Sequence, residues 1–155
     1  MHPESERPTG AESTNSESTN LRHFEIGAII VATGWDPYPL ERLPEYGGGG
    51  ILDVVDARTF EGMLRDGALP RRPSDGQVPR EVVFVQCAGS RDPEHLPYCS
   101  VECCATTLKQ AAVITRDYAE SDIDCMIVYR DIRTPGQLEH FYLWAQEQKN
   151  VLLMR

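Results

Sequence analysis

The sequence is short of positive charge. Its 15 Lys and Arg residues face 24 Asp and Glu, giving a net charge of −9. Nucleic acid is gripped by clustered Lys and Arg, so an acidic chain without such a cluster is not expected to bind it. Long apolar runs are also missing, and no stretch suffices for a membrane-spanning helix. The N-terminus, MHPESERPTG, lacks a basic start followed by an apolar core, so no secretory signal is read there. The expected location is therefore the cytoplasm, where thiols stay reduced. Two cofactor signatures are absent as well. No G-x-G-x-x-G occurs to cradle a dinucleotide pyrophosphate. No C-x2-C occurs, which removes both zinc knuckles and the usual redox dithiol.

Cysteines are nonetheless concentrated. Four of the 5 lie in the stretch QCAGSRDPEHLPYCSVECC, at Cys87, Cys99, Cys103 and Cys104. Clustered thiols in a reducing compartment point to metal or redox chemistry more than to disulfides.

The surrounding pattern places this block. Residues 1–22 are polar, with ESTN occurring twice, and are expected to be a disordered tail. The β-branched run Ile26–Ala32 predicts a buried strand ending at Thr33-Gly34. A Pro- and Gly-rich connection follows. Ile51–Val55 predicts a short strand, and a short helix is expected from Asp56 or Ala57 to about Asp66, with Phe60 and Leu64 on one face. Gly67–Arg80 reads as a loop. The rest alternates regularly: strand Glu81–Gln86, helix Ser100–Tyr118, strand Asp124–Tyr129, helix Gly136–Gln148 and strand Val151–Met154. Such alternation predicts an α/β fold with a parallel βαβαβ sheet, half of a Rossmann-like nucleotide-binding unit. Three regions follow: the tail, a connecting region over 23–80, and a Rossmann-like domain over 81–155.

In that fold the ligand crevice lies where strands end and the next helices begin. Cys87 sits just past a strand. Cys99 is expected at the helix start, sharing a helical face with Cys103, while Cys104 is turned about 100° away. Helix N–H groups and a partial positive charge there favour anionic ligands. Four thiolates can hold a [4Fe–4S] cluster or make a tetrahedral zinc site, and the spacing leaves the metal open. Cys125, inside a strand, reads as a core residue. His95 and Arg91 lie in the loop between the cysteines. His95 reads as a solvated loop residue, and Arg91 as either a counter-charge to the site or a partner of Asp92.

The motifs GAIIVATG, RPSDG, VFVQCAGSRD, YCSVECC, LKQA and YRDIRT, in this order, resemble the flavin-containing A-type component of heterodisulfide reductases and the flavoprotein subunits of quinone-interacting oxidoreductases. The resemblance runs from Phe24 to Arg155. It implies a thioredoxin-reductase-like core in which 23–80 belongs to an FAD-domain crossover. It also implies that Cys87, Cys99, Cys103 and Cys104 ligate a [4Fe–4S] cluster, with Ala32, Thr33, Gly34 and Lys109 in the FAD vicinity. The implied function is electron transfer between FAD and the cluster in a heterodisulfide redox complex, as an oxidoreductase subunit with no catalytic acid, base or nucleophile in this piece. Implied partners are further iron–sulfur subunits and an electron-donating subunit linked to a hydrogenase or dehydrogenase. The alternative is a zinc-stapled structural or interaction domain. Chains of that family are much longer and carry an N-terminal FAD fingerprint missing here. The sequence thus reads as a fragment, split subunit or truncated product, inactive alone and weak or silent in FAD binding.

Overall fold

The computed structural model describes residues 22–117 and 122–155. The chain divides into two units, Met1–Gly34 and Trp35–Arg155. The described part of the first unit, 22–34, carries no helix or strand and is exposed. The strand expected at Ile26–Ala32 is absent, and Ile30 is 91% exposed. The run has the propensity of a strand, but a strand persists only when its backbone groups find a ladder. Among the described residues the ladder consists of three other strands. The expected disordered tail falls almost wholly on 1–21, outside the described residues.

In the second unit, α1 (Ala57–Met63) is capped by Asp56, whose carboxylate accepts from the Thr59 N–H at 2.8 Å. Phe60 and Leu64 are buried, as their spacing predicts. Ile51–Val55 forms a turn rather than a strand. The glycine run just before it reverses the chain, with Ile51 N–H bonding Gly47 O at 2.9 Å.

Three strands follow: β1 (Glu81–Val85), β2 (Asp124–Val128) and β3 (Val151–Met154). They form a parallel sheet in the order β1-β2-β3. The α/β class and the parallel order are those expected from the sequence. Helices α2 (Glu102–Ala112) and α3 (Leu138–Gln146) make the crossovers. The core lies between these helices and one sheet face. Val82, Cys125 and Val151 form one rung of that face, and Phe84, Ile127 and Leu153 the next. Leu108, Ala111 and Ile114 pack onto it from α2 and its π-helical extension Val113–Asp117. No helix among the described residues is long and apolar enough to cross a membrane.

Parallel pairing sends β1 and β2 out of the sheet at the same edge. The β1–α2 segment carries the four cysteines there, and the β2–α3 segment carries Tyr129–Gln137. That edge is the site.

Candidate metal centre

The backbone leaves β1 abruptly. Cys87 has φ +61, Gly89 φ +72 and Arg91 φ +56. The left-handed region suits Gly and is uncommon for other residues, so two non-glycine residues in it within five positions mark a constrained turn. Gly89 is further required by crowding, because a Cβ there would lie 2.6 Å from the Tyr38 ring. The loop then doubles back. Leu96 N–H bonds Gly89 O at 3.2 Å, and Arg91 N–H bonds Tyr98 O at 3.1 Å. These contacts return the chain from Pro97 towards the strand end and bring Cys99 with it. The eleven intervening residues are thus a folded spacer.

Cys99 does not join the helix. Val101, at φ +66, is the N-cap of α2, which starts two residues later than expected. Cys99 and Cys103 therefore do not share a helical face. Cys103 and Cys104 occupy the first turn, and Cys104 is buried.

Each of the four sulfurs faces a donor. Arg91 Nη1 lies 3.7 Å from Cys87 Sγ. Val101 N–H reaches Cys99 Sγ at 3.4 Å, and Ser100 Oγ reaches Cys103 Sγ at 3.7 Å. The Arg133 backbone N–H faces Cys104. The Cys103 and Cys104 thiols also interact with one another. Cys104 supplies the proton, which together with Ser100 holds the Cys103 thiol down at about 5, while the same contact and burial push Cys104 up. All five cysteines are free of disulfides. Cys125 lies in the core, 1% exposed, and burial pushes it up to about 12.

The sequence reading missed the contribution of the β2–α3 segment. Asp131 pairs with Arg91 on one oxygen and accepts from Arg133 Nε on the other at 3.0 Å. Arg91 does not pair with Asp92. The Asp131 contact, and then Cys87, raise the Arg91 guanidinium above its ordinary value. His95 bonds Tyr38 Oη through Nδ1 at 2.8 Å, an anchor for the spacer loop. YRDIRT could have been placed at this edge from the strand order alone, since it follows the neighbouring parallel strand.

Among the described residues, no three His, Cys, Asp or Glu side chains converge as a single ion requires. Four unbridged thiols, each facing a hydrogen-bond donor, fit the donor chemistry of an iron–sulfur cluster. A cubane distributes its thiolates over separate irons and so does not need them around one point.

Lys109 lies five residues beyond Cys104, about one and a half turns further along α2. Its ammonium pairs with Glu61 of α1 at 2.6 Å, and Gln110 Nε2 bonds the other Glu61 oxygen at 3.1 Å. These contacts hold the Glu61 carboxyl below its usual range. Lys109, Glu61, Arg58, Thr106, Ala57 and Trp35 line a cavity of about 240 Å³. Ala32, Thr33 and Gly34 belong to the first unit.

No family model matches the chain. Individual proteins do. It is 38% identical over 137 residues to the second A-type iron-sulfur subunit of the CoB–CoM heterodisulfide reductase of Methanopyrus kandleri, covering 84% of this chain and 21% of that protein. It is 39% identical over 140 residues to the A-type component of the H2:CoB-CoM heterodisulfide,ferredoxin reductase of Methanothermobacter marburgensis, covering 85% and 21%. The chain resembles one segment of the A-type heterodisulfide reductase family. A third relative, the A-type iron-sulfur subunit of the CoB–CoM heterodisulfide reductase of Methanocaldococcus jannaschii, is 38% identical over 138 residues. The chain spans about a fifth of the length of these heterodisulfide reductase proteins.

Proposed function

We propose that this chain is the iron–sulfur electron-transfer segment of a heterodisulfide-reductase-A-like flavoprotein. Cys87, Cys99, Cys103 and Cys104 hold a [4Fe–4S] cluster that exchanges electrons with FAD. The observation that carries this reading is the donor facing each of these four sulfurs, set against the fifth, Cys125, which lies inside β2 in the core.

When bound, such a cluster takes up and returns single electrons. The chain's own residues hold and insulate it. Arg91, Val101 N–H, Ser100 and Arg133 N–H offset negative charge on sulfur. Cys104 fixes one side of the site in the protein interior. Residues 23–80 belong in this reading to the FAD-domain crossover, with Ala32, Thr33 and Gly34 near the flavin, and 81–155 to the cluster domain. Lys109 would place positive charge beside reduced flavin, in competition with Glu61. The sulfur substrate is a heterodisulfide, and the partners are iron–sulfur subunits and an electron-donating subunit.

Anaerobic reconstitution tests this. The chain is expected to turn brown and hold about four irons. Cys103→Ser should lose most of that iron, and Cys125→Ala should keep it. A colourless chain holding about one zinc would replace the cluster with a structural staple. The chain alone should bind FAD weakly or not at all, so a stoichiometrically yellow protein would overturn the assignment of the flavin site.

A further inference from the structure

We propose that Arg91, Asp131 and Arg133 form a charge bridge across the cysteine centre that sets its reduction potential. This rests on the cluster reading above and adds to it a role for the YRDIRT segment.

The bridge joins two loops that meet only because β1 and β2 are parallel neighbours. Arg91 lies on the spacer loop four residues after Cys87, and its Nη1 contacts both Cys87 Sγ and Asp131. Asp131 lies three residues beyond β2 and holds Arg133 through its second oxygen. The Arg133 charge is attracted electrostatically to Cys99, and its backbone N–H favours the Cys104 thiolate. One carboxylate therefore orients two guanidiniums whose residues between them reach three of the four cysteines. A further tie, from Arg130 Nη1 to Arg91 O at 3.2 Å, fixes the Arg91 backbone. The Arg91 side chain is only 23% exposed, so water screens its charge less than that of a free surface arginine.

The physical consequence concerns charge. A cluster gaining one electron becomes more negative by one unit. Fixed positive charge beside the sulfurs stabilises the reduced form more than the oxidised form, and so raises the potential. Two guanidiniums and one carboxylate leave this trio itself with a net positive charge. Asp131 contributes by geometry, holding both cations where thermal motion would otherwise disperse them. These are positioning and tuning residues. None of them is needed as an iron ligand.

The test is a spectroscopically monitored redox titration of the reconstituted full chain. Arg91→Gln and Arg133→Gln should each shift the midpoint to more negative values while keeping the parent's iron content. Arg91→Lys, which keeps the charge, should keep the midpoint close to the parent's. Equal midpoints in parent and Arg91→Gln would overturn the bridge while leaving the cysteine ligands standing. Equal shifts in Arg91→Gln and Arg91→Lys would also overturn it, because packing rather than charge would then be responsible. If Arg91→Gln does not fold, Arg133→Gln, at an exposed side chain, carries the same expectation. A parent chain that takes up no iron would overturn the ligand assignment and the bridge together.

Discussion

Val101 carries a backbone penalty that its side chain does not offset at the N-cap. It is β-branched, sits at φ +66 and offers no oxygen to the open N–H groups of α2. A strained residue of this kind costs of order 1–3 kcal/mol, while glycine loses about 0.5–1 kcal/mol to chain entropy. Val101→Gly is therefore expected to raise stability by about 1 kcal/mol, read from the urea midpoint of the metal-free chain. Glu61 gives a second residue-scale expectation. Its pKa is lowered on folding, so its contribution is full above the unfolded value and fades as pH falls through the folded one. Glu61→Gln should flatten the loss of stability between neutral pH and the carboxylate range, seen by urea titration at several pH values. At this scale the sequence is partly legible. The place of Cys125 inside a predicted strand is enough to read it as a core residue, and it is 1% exposed. The pairing of Arg91 with Asp131 spans 40 positions and depends on which strands are neighbours, so no local pattern reveals it.

Between elements, the site depends on how firmly β1 is tied to α2. Gln86, the residue before Cys87, donates to Thr107 Oγ1 at 2.6 Å, and both side chains are buried. Thr107 is one turn beyond Cys103, so this bond fixes the strand end against the helix start. Thr107→Val keeps the shape but strips Gln86 of its partner, an expected cost of about 1–3 kcal/mol in chemical unfolding. The reconstituted variant should also release iron to a chelator faster than the parent. Strand and helix order over 81–155 is readable because short continuous apolar runs alternate with longer stretches of apolar residues at helical spacing. Beyond Ile51–Val55, two element readings failed for physical reasons. Ile26–Ala32 has strand composition without a ladder among the described residues, and the expected start of α2 at Ser100 is undone by the left-handed turn at Val101. Propensity registers neither hydrogen-bond partners at a distance nor a single residue of reversed handedness.

At the scale of the molecule, the sheet is covered unequally. The face opposite the core carries Val83, Met126 and Leu152 in one rung and Val85, Val128 and Met154 in the next. Val83, Val85, Leu152 and Met154 are all exposed. Parallel sheets are ordinarily covered on both faces, and contiguous apolar patches of this kind attract other surfaces. The 155-residue chain is therefore expected to bind an environment-sensitive dye such as ANS and to self-associate as concentration rises. Val83→Lys with Leu152→Lys should reduce both in fluorescence and sedimentation measurements, while changing folding stability by no more than about 0.5 kcal/mol per site. The same strands that aim the cysteines to one edge also fix the dimensions of this bare strip. Three strands about 4.8 Å apart span about 10 Å, and two rungs of side chains occupy a little more than one helical turn along it. That footprint is the width of a single α-helix, so the open side of the sheet has room for one rod laid along its strands and too little for two.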